Sequence, residues 1–154
     1  MMLATSSYSN IGAIPKNLMC VGISPSPPEW FADGPNTLRI EGGNILAPDE
    51  GDERRFRDGS MLWDDYARSY VSALSRNLHA AGFVGIAEWC GRVCSHFSSM
   101  GFAGVVFLCD EAAGEPCHRS ILADILTRKG FPCGELPAAG MRTNAGESGC
   151  GTLF

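Results

Sequence analysis

The chain has 154 residues, 45% hydrophobic and 19% charged, which excludes a disordered polymer and suits one globular domain with a real core. Twelve Lys and Arg against 17 Asp and Glu leave a net charge of −5, which argues against coating nucleic acid through bulk charge while leaving room for a local basic pocket. No apolar run reaches bilayer length, and residues 1–10 lack the basic and apolar regions of a secretory signal, so the expectation is a cytoplasmic protein with no membrane contact.

Seven cysteines (20, 90, 94, 109, 117, 133 and 150) are the feature that most needs explaining. Their number is odd and several sit inside apolar segments, which fits free thiols better than a disulfide framework. The default for most of them is a small buried hydrophobe.

The first predicted element is a strand over 18–23, Leu-Met-Cys-Val-Gly-Ile, apolar throughout as in strands covered on both faces. It stops at Ser24-Pro25-Ser26-Pro27-Pro28, where prolines preclude a continuing ladder. One short strand is expected over 37–40. Residues 41–59, polar and charged, read as an exposed loop or insertion. From Ser60, a candidate cap, the pattern turns helical through Leu62, Tyr66, Tyr70, Leu74 and Leu78. A second helix is expected over 86–99, with Ile86, Trp89, Cys90, Val93, Cys94 and Phe97 on one face. Residues 104–109 form the next buried strand and 110–116 a polar loop. A helix over 117–129 follows, with His118, Ile121, Leu122, Ile125 and Leu126 inward, stopped by Gly130 and Pro132. A short strand over 131–136 and a loose Gly/Ala/Ser-rich tail, 137–154, close the chain. Helices alternating with buried strands predict a single α/β domain over 1–136 with a small, mostly parallel sheet.

The informative unit is the strand 104–109, its loop, and Cys117-His118-Arg119-Ser120 opening a helix. Crevices at the carboxyl ends of parallel strands are the usual ligand sites, and helix N-termini there attract anions. Arg119 and a protonated His118 in a first turn oppose the helix dipole by roughly 0.3–1 kcal/mol each, which is tolerable where a phosphate or carboxylate is bound. The same helix end makes a thiolate at Cys117 more accessible. In the competing reading Asp110, Glu111 and Glu115 neutralise Arg119, and Cys117 only packs. A phosphotyrosine-phosphatase loop is excluded, because its Arg would fall at Ala123, and no Gly-Lys-Ser/Thr triplet of a P-loop occurs.

Other clusters carry less. Cys90, Cys94 and His96 have a zinc-like spacing, but both cysteines lie on the apolar stripe and no second ligand pair exists, so no metal is expected. Trp30, Phe31, Trp63, Tyr66 and Tyr70 read as core, with Tyr66 a candidate to wall the crevice. No cofactor is called for.

Val105-Val106-Phe107-Leu108-Cys109-Asp110-Glu111, then Pro116-Cys117-His118-Arg119-Ser120 and Ala123-Asp124, resemble the C-terminal signature of the domain-of-unknown-function 488 family. Tyr8-Ser9-Asn10, the strand at 18–23, Pro28-Glu29-Trp30-Phe31 and the helix with Tyr66 and Tyr70 follow the order of one of its branches, so the resemblance spans roughly residues 8–136. It implies a small Rossmann-like domain of three layers and a site, but no reaction. Many relatives carry a basic residue after the first strand. Here Ser24 and Ser26 stand in that region, and their hydroxyls with backbone N–H groups are the candidate substitutes.

The expectation is a small enzyme processing a nucleotide-like or other anionic substrate. Cys117 is then nucleophile or polar contact, His118 acid/base and Arg119 anion clamp, with Ser120 and Asp124 in support and Asp110 and Glu111 beside them. The alternatives are a non-catalytic module that sequesters a nucleotide or small signal, and a protein-interaction scaffold.

Overall fold

The computed structural model describes residues 1–38, 44–111 and 115–137. Of the expected tail at 137–154, all but Pro137 lies outside the described residues, Cys150 included, as do positions 39–43 and 112–114.

Five parallel strands form one sheet in the order β3-β2-β4-β1-β5. They are β1 (Met2–Ser7), β2 (Leu18–Gly22), β3 (Thr37–Leu38), β4 (Gly104–Cys109) and β5 (Cys133–Glu135). Four helices accompany them: α1 (Glu50–Arg57), α2 (Trp63–Ala80), α3 (Ile86–Ser99) and α4 (His118–Arg128). Two 3-10 segments, Tyr8–Ala13 and Glu29–Asp33, also lie among the described residues. The result is a small Rossmann-like α/β domain, as expected.

The pleat sorts the central strand between two cores. Val105, Phe107 and Cys109 face a large cluster with Tyr70, Leu74, Leu78, Trp89, Phe97, Leu122 and Leu126 from α2, α3 and α4. Val106 and Leu108 face a smaller cluster with Tyr8, Ile14 and Phe31, supplied by the 3-10 segments and their flanks. Helices therefore cover one face, and short 3-10 turns the other. The second layer is thin enough that Gly22 is required at the end of β2: a Cβ there would stand 2.6 Å from the Tyr8 hydroxyl and 3.0 Å from the Phe31 ring.

Four expectations need correction. Trp30, expected in the core, is 61% exposed and meets Tyr8 and Phe31 only edge-on. Residues 2–7 form a strand that the apolar-run criterion passes over, because Thr5, Ser6 and Ser7 are polar yet buried. Each hydroxyl has a partner: Thr5 donates to Glu135, Ser6 accepts from Asn10, and Ser7 pairs with Ser9. Within the expected loop 41–59, residues 50–57 are helical. That helix lacks an apolar stripe and is held by the Asp49 cap on the Asp52 N–H and by charge pairs with Asp52 and Glu53. Finally, Ser60 does not cap α2; Leu62 occupies the N-cap position.

The connection from β2 leads outward to β3, and that from β4 leads the other way, past β1, to β5. Adjacent strands β2 and β4 thus diverge at their carboxyl ends, the arrangement that opens a ligand crevice in parallel sheets.

Candidate active site

A cavity of about 380 Å³ opens at this divergence, lined by Pro25 and Ser26 after β2, Asp110 after β4, and Glu50, Glu53, Arg54, Arg57 and Asp58 around α1. Its volume falls at the lower end of small-molecule clefts. Arg57 ties the lining together. Its Nη2 lies 3.2 Å from Glu53 Oε1, 3.3 Å from Asp110 Oδ2 and 2.9 Å from Glu111 Oε1. Burial raises the Asp110 carboxyl above its ordinary value. Glu111 is half-buried, yet hydrogen bonds from Arg57 hold it below its ordinary value.

Glu53 differs from its neighbours. Its side chain is nearly closed to solvent, and among the described residues its Oε2 has no hydrogen-bond partner. Burial pushes this carboxyl up to about 7 against the pull of Arg57, with Glu111 and Asp110 adding like-charge repulsion. His118 Nδ1 lies 3.9 Å from that free oxygen.

His118 is fully buried, and its Nε2 is 2.8 Å from the Ile23 carbonyl oxygen. A carbonyl only accepts, so Nε2 carries the proton and Nδ1 presents its lone pair. The Tyr66 hydroxyl donates toward Nδ1 at 3.5 Å, and the Tyr70 ring meets the imidazole edge-on. Burial holds the imidazole down to about 4, a neutral ring at neutral pH. Tyr66 is itself fixed by stacking on Phe56 of α1, with ring centroids 4.7 Å apart. Burial raises its phenol far above the ordinary value.

Cys117 takes the N-cap position of α4, and Arg119 follows in the first turn, 1% exposed. The guanidinium donates from Nε to Glu135 Oε1 at 2.5 Å, and from Nη1 to Cys109 Sγ at 3.0 Å and the Glu111 carbonyl at 2.6 Å. Cys109 Sγ lies 2.9 Å from Cys117 Sγ and 3.3 Å from Glu111 Oε2. The structure therefore brings Cys117, His118, Arg119, Glu111 and Tyr66 into one buried cluster, with Asp110 at the cavity wall. Ser26 also lines the cavity. Ser24 is buried, its hydroxyl 2.8 Å from that of Tyr8, and the exposed Ser120 donates to the Cys117 carbonyl.

Sequence reasoning missed Glu53, Arg57, Cys109 as partner of Cys117, and Glu135. The i,i+4 spacing of Glu53 and Arg57 was the one available signal, and it looks the same on any solvated helix. Among the described residues, the group with converging metal-ligating atoms is Cys109, Cys117 and His118, all within 4.8 Å of one another; Cys90, Cys94 and His96 do not converge this way. The Arg119 charge on Cys109 opposes a divalent cation there.

Among the described residues no helix is long and apolar enough to cross a membrane. Compared with family models, curated proteins and solved structures, the chain matches none significantly.

Proposed function

We propose that the protein is a small acid–base enzyme acting on a polar, nucleotide-like substrate with an anionic group, bound in the crevice between β2 and β4. Glu53 exchanges the proton. Arg54 and Arg57 face the anionic group, and Ser26 offers a hydroxyl from the opposite loop. Cys117, His118 and Arg119, the candidates that the spacing suggests, act from behind: the imidazole lone pair faces Glu53, and Arg119 holds the loop that carries Asp110 and Glu111. The resemblance of Cys-His-Arg-Ser to the domain-of-unknown-function 488 signature belongs to this same reading.

The supporting observation is Glu53 itself. A cavity-lining carboxyl with a raised proton affinity near 7, and one oxygen without a hydrogen-bond partner among the described residues, suits proton transfer at neutral pH. Incubation with a nucleotide panel, followed by chromatography of the ligand, tests the reading. Wild type is expected to alter one compound, and Glu53→Gln to lose roughly 10²–10⁴-fold of that rate, the usual contribution of a positioned acid or base. Arg54→Ala should mainly raise KM. Unchanged turnover in Glu53→Gln would overturn the assignment, and a ligand retained intact by wild type would make the crevice a binding module instead.

A further inference from the structure

We propose that Cys109 and Cys117 form a peroxide-sensitive dithiol that closes into a reversible disulfide, tying the end of β4 to the start of α4. The proposal stands on the geometry of the pair and not on the reaction proposed for the crevice. The sulfurs are 2.9 Å apart, inside the roughly 3.5–4.0 Å of ordinary non-bonded contacts. Two sulfurs on one zinc ion, with bonds of about 2.3 Å, would sit about 3.8 Å apart. The pair is thus closer than a metal would hold it, on the path to a sulfur–sulfur bond of about 2.05 Å.

Charged neighbours supply what the chemistry needs. The Arg119 guanidinium, 3.0 Å from Cys109 Sγ, stabilises anionic sulfur in the cluster. Glu111 Oε2, 3.3 Å from the same sulfur, accepts a hydrogen bond from the Cys109 thiol. Both cysteines are buried, Cys109 0% and Cys117 1% exposed, so the oxidant can be no larger than hydrogen peroxide and must enter by local opening beside Glu111, whose side chain is 14% exposed.

The thiolate of Cys117, at the positive end of the α4 dipole, attacks one peroxide oxygen. A sulfur–oxygen bond forms, the oxygen–oxygen bond breaks, and hydroxide leaves to take up the proton released by Cys117. The Cys117 sulfenic acid is then attacked by the Cys109 sulfur. The sulfur–sulfur bond forms, the sulfur–oxygen bond breaks, and the departing hydroxide takes the Cys109 proton as water. Two thiols and one hydrogen peroxide give one disulfide and two waters, with two electrons passing from sulfur to peroxide. Oxidation removes the Cys109 S–H that donates to Glu111, so the crevice wall held by Arg57 senses the state of the pair.

Cys90 and Cys94 provide an internal control. Their sulfurs are 4.0 Å apart, both on α3. The full chain, reduced and freed of small thiols, is treated with hydrogen peroxide, and its intact mass and peptide map are read. The expected result is loss of two hydrogens, a Cys109–Cys117 cross-linked peptide and full reversal by dithiothreitol. Cys109→Ser should leave a Cys117 sulfenic acid trapped by dimedone, and Cys117→Ser should leave none at Cys109. Oxygen added irreversibly at single cysteines, a cross-link at Cys90–Cys94 instead, or one zinc per chain that shields Cys109 and Cys117 from alkylation would each overturn the proposal. The wild-type map decides the matter even if a variant does not fold.

Discussion

Two close pairs of cysteines sit on the helix-covered side of the sheet, in opposite surroundings. Cys90 and Cys94 lie on the α3 face among Trp89, Val93 and Phe97, and their neighbourhood is apolar. Cys109 and Cys117 lie at the carboxyl end of the sheet, against a guanidinium and a carboxylate. The Cys90 thiol is raised by burial, then by Cys94. The Cys109 thiol is raised first by its bond to Cys117, then by burial, while Arg119 pulls it down. The lesson is that burial does not separate a packing cysteine from a chemical one. The ionisable groups that share its enclosure do, and at the carboxyl end there are several: Glu53, Glu111, His118 and Arg119.

The contrast can be broken by removing one member from each region and comparing urea unfolding. Arg119→Met should cost the most, about 3 kcal/mol, because it strands Glu135 and the Glu111 carbonyl; this is the low end for a broken buried pair, as the Glu135 side chain is 35% exposed. Cys90→Ala on the apolar side should cost about 1 kcal/mol, the loss of one small buried group. Equal costs would mean that the guanidinium is no more deeply built into the fold than a packing thiol.

Acid titration sharpens the same comparison. His118, held down to about 4 by burial, stays neutral in the folded chain while the unfolded chain binds a proton below about 6.5. Its contribution is complete above 6.5 and is lost as pH falls from 6.5 to 4, on the order of 3 kcal/mol in all. Glu53 acts oppositely. Pushed up to about 7 by burial, it takes a proton in the folded chain before the unfolded chain does, so its effect on stability rises as pH falls from 7 to 4.5. The two oppose each other between 6.5 and 4.5, and wild-type stability should be nearly level there. Glu53→Gln should uncover the His118 loss as a steep acid limb in thermal unfolding. A variant curve parallel to wild type would refute the pairing.

The smallest effect is expected at the cavity rim. Arg57→Ala should cost 1 kcal/mol or less, because its pairs with Asp110 and Glu111 are partly solvated. It should still lift the Glu53 proton affinity further, since Arg57 is the group that lowers it.

How legible these regions were follows from the same physics. The strand at 104–109 and the helix at 86–99 announce themselves, because one is apolar throughout and the other carries an apolar stripe at helical spacing. β1 stays hidden because its buried Thr5, Ser6 and Ser7 find partners in Glu135, Asn10 and Ser9, which no local pattern displays. At the site, Cys117, His118 and Arg119 are readable as neighbours ahead of a helix. Their surroundings are not. Glu53 and Arg57 come from a short charged helix that resembles any solvated segment, and only the parallel order β2-β4 carries it over the loop after β4.

The central claim is that the carboxyl end of the sheet buries a carboxyl poised to exchange a proton at neutral pH. The direct measurement is a carbon-13 NMR titration of glutamate side-chain carboxyls in wild type and Glu53→Gln. One resonance missing from the variant should titrate at about 7. If that resonance instead titrates in the ordinary glutamate range near 4.3, Glu53 is a common rim carboxylate, and the account of the crevice fails.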